Sequence, residues 1–486
     1  MSRKQETIIL LLIIAVGVFT RRYDLGARSY WFDEMQTAVT AVQPGERLLD
    51  LALNQERKLP LFHIIMHAWL TVSHDEAWAR LPAVFFGVLT IPFAYLLARE
   101  AAGRQKSRVA LLTAAFVALS PALVWYSQQL RMYTALGCLS VLNMYFFLRA
   151  ARALSTEGDE PGNDSRKMLT WFLVTGLFAS LMHPFFALLA AGEAIAAFVW
   201  LLPKWDRALG LALVAVCAAG PGLALISIQS GDIGQAAGAF RPVRAGDIPN
   251  VFRHMALAFP RPYEGMPWQA AALIGAGVVV FGWLFVAGLA AYQAWRTKVS
   301  LLLFLFAPLC VMTVFSVTVW SFFNPRFLMN VYPVFALFVA LGVFVLPRKG
   351  MRLIAVGLVV LLSVISLGCY FFDADYDTPH VRQAAEYLRG HANGLCIIHT
   401  SYDRYFSSVF YNDFNPDERL LSHGPLPFYR GGKMLEACPG RIVAIEDVVG
   451  RGEEFFLVLP DPTEPWLRYR RADDALSRFI DDNYEV

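Results

Sequence analysis

The sequence predicts a mainly α, polytopic membrane helix bundle that ends in a small α/β soluble domain. Three observations carry this. Of 486 residues, 57% are hydrophobic and only 17% are charged, against roughly 25% charged in soluble proteins. The mean hydropathy is +0.46. Apolar runs of about 20 residues, the length a helix needs to cross a bilayer, recur along the chain and stop near residue 371.

About eleven such runs are readable: near 7–22, 81–99, 109–126, 132–149, 168–183, 185–202, 208–227, 269–291, 299–320, 327–346 and 351–371. The first follows Arg3 and Lys4 without a small-residue cleavage site, so it reads as a retained membrane helix. Arg or Lys occupies each of the short loops 99–108, 149–167, 203–207, 293–298 and 347–352. The excess of basic residues in cytoplasmic loops then places the N-terminus inside. The segments 23–80 and 228–268 and the tail from 372 would face outward. The predicted division is a membrane domain over 1–371 and an outward α/β domain over 372–486.

Segment 23–80 is more than a loop. Glu46–Leu53 and Leu59–Val72 have helical periodicity but are too short to span, and the second reads as an amphipathic helix lying in the interface. It sets His63 and His67 one turn apart, as two polar points on a partly buried helix, with no third metal ligand nearby. Segment 228–268 is basic and rich in Gly and Pro, and is expected to form a flap. In the tail, 379–392 has an amphipathic helix pattern, and 395–399, 442–445 and 455–459 have strand length.

A formal net charge of +3 is too small to indicate nucleic acid as a partner. The six cysteines have no metal-ligand spacing. Cys396 and Cys438 in the tail form one candidate disulfide or two separate thiols. Glu193, the one acid inside an apolar run, is expected to pair within the bundle.

Polar residues gather where the runs end on the predicted outer face. Asp33 and Glu34 follow Tyr30-Trp31-Phe32, aromatics that suit a membrane–water interface. Glu56, Arg57 and Lys58 precede the interfacial helix, and Arg80 the second run. Tyr126, Gln129, Arg131 and His183 lie in the short outer turns, and Arg326 before the tenth run. Charges at such depth are costly unless paired or solvated, and their convergence marks a functional cavity. A carboxylate there can take a proton from an attacking hydroxyl. Cations can hold a departing lipid phosphate. Together they describe glycosyl transfer from a polyprenyl-phosphate sugar, through an oxocarbenium-like transition state.

Five pieces of the chain then make a resemblance specific. Tyr30-Trp31-Phe32-Asp33-Glu34 resembles a W-x-D-E motif, Lys58-Leu59-Pro60-Leu61-Phe62 a (H/K)-P-P-L-(Y/F) motif, and Arg80-Leu81-Pro82-Ala83 an R-L-P-S motif. Ser120-Pro121 through Tyr126-Ser127-Gln128 to Arg131-Met132-Tyr133, and Arg326-Phe327, complete the set. In this order they resemble the GT-C membrane glycosyltransferases of the bacterial family 39 type, which include lipid A aminoarabinose transferases and relatives of the protein O-mannosyltransferases. The resemblance implies an inverting enzyme in which Asp33 is the catalytic carboxylate with Glu34 beside it. Lys58, Arg57 and Arg326 would contact the donor phosphate, and Tyr126, Gln129, Arg131 and His183 would line the cavity. Leu59 replaces the first proline of the usual pair, so donor preference does not carry over. No cofactor is certain; some relatives hold a divalent metal ion near this loop, and the sequence completes no ligand set for one.

The expected partners are a polyprenyl-phosphate-sugar donor, a lipid or glycan acceptor and membrane lipids, in the inner (plasma) membrane of a bacterium. Two readings from other classes stand beside this one: a transporter or flippase of a lipid-linked saccharide, and a non-catalytic envelope-assembly subunit. No internal repeat of the kind transporters show is visible.

Overall fold

The computed structural model describes residues 2–56, 58–103, 106–156, 162–202, 204–229, 243–257, 268–292, 294–318, 323–372, 380–422, 434–443, 447 and 454–458. Arg57, most of the expected flap, part of the third expected strand segment and the last 28 residues, 459–486, lie outside these. By their internal contacts the residues form two units: Met1–Arg28 with Thr40–Asp377, and Ser29–Val39 with Thr378–Val486.

The first unit is helical. Helix α1 (Arg3–Arg22) comes first; most of α2 (Phe32–Ala41) belongs to the second unit, and α3 (Gly45–Asp50), a π-helical turn (Leu51–Gln55) and α4 (Leu61–Leu70) follow it in the chain. Then come α5 (Glu76–Ala101), α6 (Lys106–Leu119), α7 (Pro121–Ser127), α8 (Tyr133–Thr156), α9 (Asn163–Met182), α10 (Phe186–Leu201) and α11 (Trp205–Gln229). Helices α12 (Asp247–Leu257), α13 (Trp268–Ala291) and α14 (Trp295–Thr318) lead through a 3-10 turn (Pro325–Val331) to α15 (Tyr332–Val345) and α16 (Lys349–Phe372). Six of the described helical stretches are long and apolar enough to cross a membrane, or seven if α6 and α7 count as one bent span. The apolar runs read as α1, α9, α10 and α13 fall short of that test.

The third run, expected as one helix over 109–126, is broken: α6 and α7 meet at an angle of 54°. Pro121 is the cause, since its ring disfavours helical backbone at Ser120 and it has no N–H to donate. Ser120 restarts the helix by accepting from Leu123 N at 3.4 Å. The carbonyls orphaned by the break are met by Arg21, which is fully buried. Its guanidinium donates to Ala118 O at 2.9 Å and Val117 O at 3.0 Å, a cationic cap on a helix C-terminus. Two further polar contacts hold the loop after α7: Gln128 Nε2 donates to Tyr23 O at 2.7 Å, and Tyr370 Oη donates to Gln128 Oε1 at 2.8 Å.

Helices α13 and α15 approach through Gly288 and Gly342. A Cβ on Gly288 would lie 2.0 Å from Phe338 O, and one on Gly342 would lie 1.9 Å from Leu284 O. Small residues that let backbones touch are how helices associate in a bilayer, where burial from water gives no drive. Glu193, expected to pair in the bundle, is completely buried, and neither carboxyl oxygen has a hydrogen-bond partner among the described residues.

The second unit holds α17 (Val381–His391), β1 (Cys396–His399), α18 (Tyr402–Tyr411), β2 (Glu418–Leu421), β3 (Arg441–Ile442) and β4 (Phe455–Val458). The strands form one parallel sheet in the order β3-β2-β1-β4. Strand β2 was not expected, because Glu418 and Arg419 hide its pattern. Glu418 is nevertheless fully buried, bonded to His399 Nε2 at 2.6 Å and accepting from Asn412 Nδ2 at 2.8 Å. Cys396 and Cys438 are free thiols.

Gly342→Ala should destabilise the protein by about 1–3 kcal/mol through overpacking. Gly282→Ala, with nothing within 4 Å of its Cβ, should be neutral or slightly stabilising. Thermal unfolding in detergent compares the two.

Candidate active site

The predicted acids part company. Trp31 precedes the first helical residue of α2, and the Glu34 carboxylate reaches back to accept from Trp31 N at 3.4 Å. That is the return half of a capping box. Glu34 is 1% exposed, so it serves the helix start. Asp33, in the same first turn, is half-buried and reachable by solvent. The positive end of the helix dipole favours a carboxylate there.

The cations gather in the first unit around a residue not counted among the predicted site residues. The turn before α4 widens to π spacing, with Glu56 N donating to Leu51 O and Lys58 N to Ala52 O, both at 2.9 Å. This turns the Glu56 side chain inward, where it is 0% exposed. It accepts from Lys58 Nζ at 3.1 Å and Arg131 Nη1 at 3.1 Å, and lies 2.7 Å from His63 Nε2. Burial alone would raise this carboxyl, but His63, Lys58 and Arg131 outweigh it and hold it well below the usual carboxylate range.

Tyr133, at the start of α8, joins this group to the rest. Its ring centre lies 5.8 Å from the guanidinium carbons of both Arg131 and Arg326, within cation–π range. Arg326 is placed by Asn324, whose side chain accepts from Arg326 N at 3.1 Å to open the 3-10 turn. The His183 ring sits 5.6 Å from Tyr133, in the turn between α9 and α10. Burial, then Lys58, Arg131 and Arg326, press its pKa well down, so it is neutral at pH 7. His183 Nδ1 accepts from Phe185 N at 3.1 Å, which puts the ring proton on Nε2. That Nε2 is buried and has no hydrogen-bond partner among the described residues.

The structure thus brings Lys58, Arg131, His183 and Arg326 into one electrostatic group. Tyr126 reaches it edge-on to Tyr133, with ring centres 6.0 Å apart. Gln129 is buried in the same turn as Arg131, its Oε1 without a hydrogen-bond partner among the described residues. Arg80 holds the loop after α1, donating to Leu25 O at 2.8 Å and Arg28 O at 3.0 Å. His63 and His67 diverge, His67 Nδ1 lying 2.7 Å from Ala41 O. Among the described residues no three His, Cys, Asp or Glu side chains come together as a metal site.

Sequence reading also passed over His254, on α12. It is 5% exposed, with Nδ1 2.7 Å from Tyr332 Oη and its ring within 6 Å of Trp125 and Tyr126. Burial and then Arg253 push it down to about 3. A lone histidine in a basic loop gives no signal of such a site.

Residues 11–210 match the family model described as dolichyl-phosphate-mannose-protein mannosyltransferase. ArnT from Cupriavidus metallidurans in the apo state superposes with a TM-score of 0.57 at 13% identity, over 89% of each chain. The same protein bound to undecaprenyl phosphate gives 0.56 at 14% identity, again over 89% of each. The oligosaccharyltransferase of Archaeoglobus fulgidus, tethered with an acceptor peptide, gives 0.55 at 12% identity over 84% of this chain. The chain spans 63% of that protein's length. No curated protein matches the sequence. The chain is therefore a multi-pass membrane protein with the GT-C fold, and its residues 11–210 resemble the mannosyltransferase family, as its motifs implied.

Glu56→Gln should cost about 3 kcal/mol, the scale for leaving buried charges without their partner. The Glu56 contribution is full above the ordinary carboxylate value of 4.5 and is lost as pH falls through its depressed folded value. Melting curves of the two proteins should therefore converge as pH falls below 4.5.

Proposed function

We propose that the protein transfers a sugar from a polyprenyl-phosphate-linked donor to a lipid or glycan acceptor, at the outer face of a bacterial inner membrane. The observation that carries this reading is the gathering of buried Arg131 and part-buried Lys58 and Arg326 around the neutral, Nε2-protonated His183. Cations drawn together at a part-buried site suit an anion. The buried and unmatched His183 Nε2 supplies a donor that such an anion can satisfy.

In the reaction, the acceptor hydroxyl oxygen attacks the anomeric carbon from the face opposite the phosphate. A carbon–oxygen bond forms there, and the bond from that carbon to the phosphate oxygen breaks, its electron pair leaving with the phosphate. The single displacement inverts the centre. Asp33 takes the hydroxyl proton as general base. The phosphate gains one negative charge as it leaves, so contacts from Lys58, Arg131, Arg326 and His183 strengthen towards the transition state, the condition for lowering the barrier. Arg57, next to Lys58 in the sequence, is a further candidate contact to the phosphate. Glu34 keeps Asp33 at the helix start, and Tyr126 and Gln129 border the cation group. An orientation with the N-terminus cytoplasmic and the C-terminal domain outside completes the reading.

With a panel of polyprenyl-phosphate sugars, Asp33→Asn should lower turnover by about a hundredfold or more, at unchanged donor KM. Wild-type turnover in that variant overturns the base assignment. Arg326→Ala should raise the donor KM by about tenfold or more, the worth of one charge-assisted hydrogen bond.

A further inference from the structure

We infer that the C-terminal unit is a clamp for the acid-bearing segment, and that Tyr402, Phe406, Phe410 and Tyr411 of α18 are positioning residues that act through Asp33. This rests on the base assignment made above for Asp33.

Segment Ser29–Val39 belongs by its contacts to the C-terminal unit, although well over three hundred residues of chain separate them. The grip begins just before the acids. Ser29 Oγ accepts from Arg382 N at 3.2 Å and donates to Gln383 Oε1 at 3.4 Å. Tyr30 N donates to Tyr411 Oη at 2.8 Å, and the two rings stack 5.8 Å apart at 14°. Phe410 meets the same Tyr30 ring edge-on at 5.9 Å. One residue before Asp33, the Phe32 ring stands edge-on to Tyr402 at 5.3 Å and tilted to Phe406 at 6.3 Å. Ser29 and Tyr30 are 2% and 1% exposed.

The clamp follows from helix geometry. Tyr402, Phe406 and Phe410 recur at four-residue steps, so they form one stripe of α18, and that stripe is spent on the segment. The rest of the helix is fixed to the sheet. Tyr405 is fully buried, and its hydroxyl accepts from Gly440 N at 2.9 Å. At the helix ends, His399 and Asn412 both bond to the buried Glu418. A buried polar group of this kind is weak as a source of stability, and its best-attested use is to fix register. Here it sets the register of α18 against β1 and β2. The sequence offers no catalytic constellation of the unit's own, and a general base displaced by about 1 Å can lose about a hundredfold in rate. Holding Asp33 is the work this arrangement suits.

The test uses the full chain in detergent. Hydrogen exchange of the 29–39 peptide, affinity for undecaprenyl phosphate, and turnover at saturating donor are measured for wild type, Tyr411→Phe, Tyr411→Ala, Asp33→Asn and Asp33→Asn/Tyr411→Ala. Tyr411→Ala should speed exchange over the segment by tenfold or more and lower turnover by at least tenfold. Undecaprenyl phosphate affinity should stay within twofold, because its cations belong to the other unit. Tyr411→Phe, which keeps the stacked ring and loses only the hydroxyl, should recover most of the turnover. In the Asp33→Asn background Tyr411→Ala should cost nothing more, as expected of a residue acting through Asp33.

Unchanged exchange in Tyr411→Ala overturns the clamp. Faster exchange with unchanged turnover, or losses that multiply in the double variant, overturns the positioning role. Wild-type turnover in Asp33→Asn removes the base assignment and this role with it, while the exchange data still decide whether the segment is held.

Discussion

Lys58 and Arg131 can stay together inside the protein because the Glu56 carboxylate lies between them. Taking a charge out of water costs several kcal/mol, and a like charge nearby adds to it. Glu56 offsets this with contacts of 3.1 Å to each cation and 2.7 Å to His63. Arg326 joins the same field through Tyr133, and the neutral His183 adds a donor without adding charge. Electrostatic contacts in such a part-buried group are stronger than they would be in water.

That group depends on a break in a membrane helix. Gln129 and Arg131 come from the turn that follows Pro121, and a continuous helix over 109–126 would have carried them elsewhere. The break strands the carbonyls of Val117 and Ala118, and Arg21 meets both. An unsatisfied carbonyl in hydrocarbon costs several kcal/mol, so Arg21 makes the bent geometry stable. The apolar bundle thus contributes a rigid frame, fixed elsewhere by the close contact of α13 with α15. Its polar ends hold the cation group.

The acids are held by different means. Asp33 sits in the first turn of a helix whose N–H groups favour its charge, and Glu34 closes the cap. Phe32 and Tyr30, aromatics that suit an interface with lipid, are taken up by the stripe of aromatic residues on α18. A segment near the N-terminus therefore makes its contacts with residues near the C-terminus.

By itself the sequence determined the membrane class, the α/β character of the tail and the GT-C resemblance. These follow from local properties: run length, hydropathy, and short motifs such as Asp33-Glu34 and Arg131-Met132-Tyr133. It also pointed to Lys58, Arg131, His183 and Arg326, because charged residues at the ends of apolar runs are few. Tertiary structure alone decided what each does. Glu34 as a cap and Glu56 as the counter-charge are both acids beside other polar residues in sequence, and only their partners tell them apart. The Glu56 partner Arg131 is 75 residues away, and the partners of Tyr30 are farther still. Burial, and hence whether a charge is solvated, paired or poised, is set by such distant contacts, which no local pattern records.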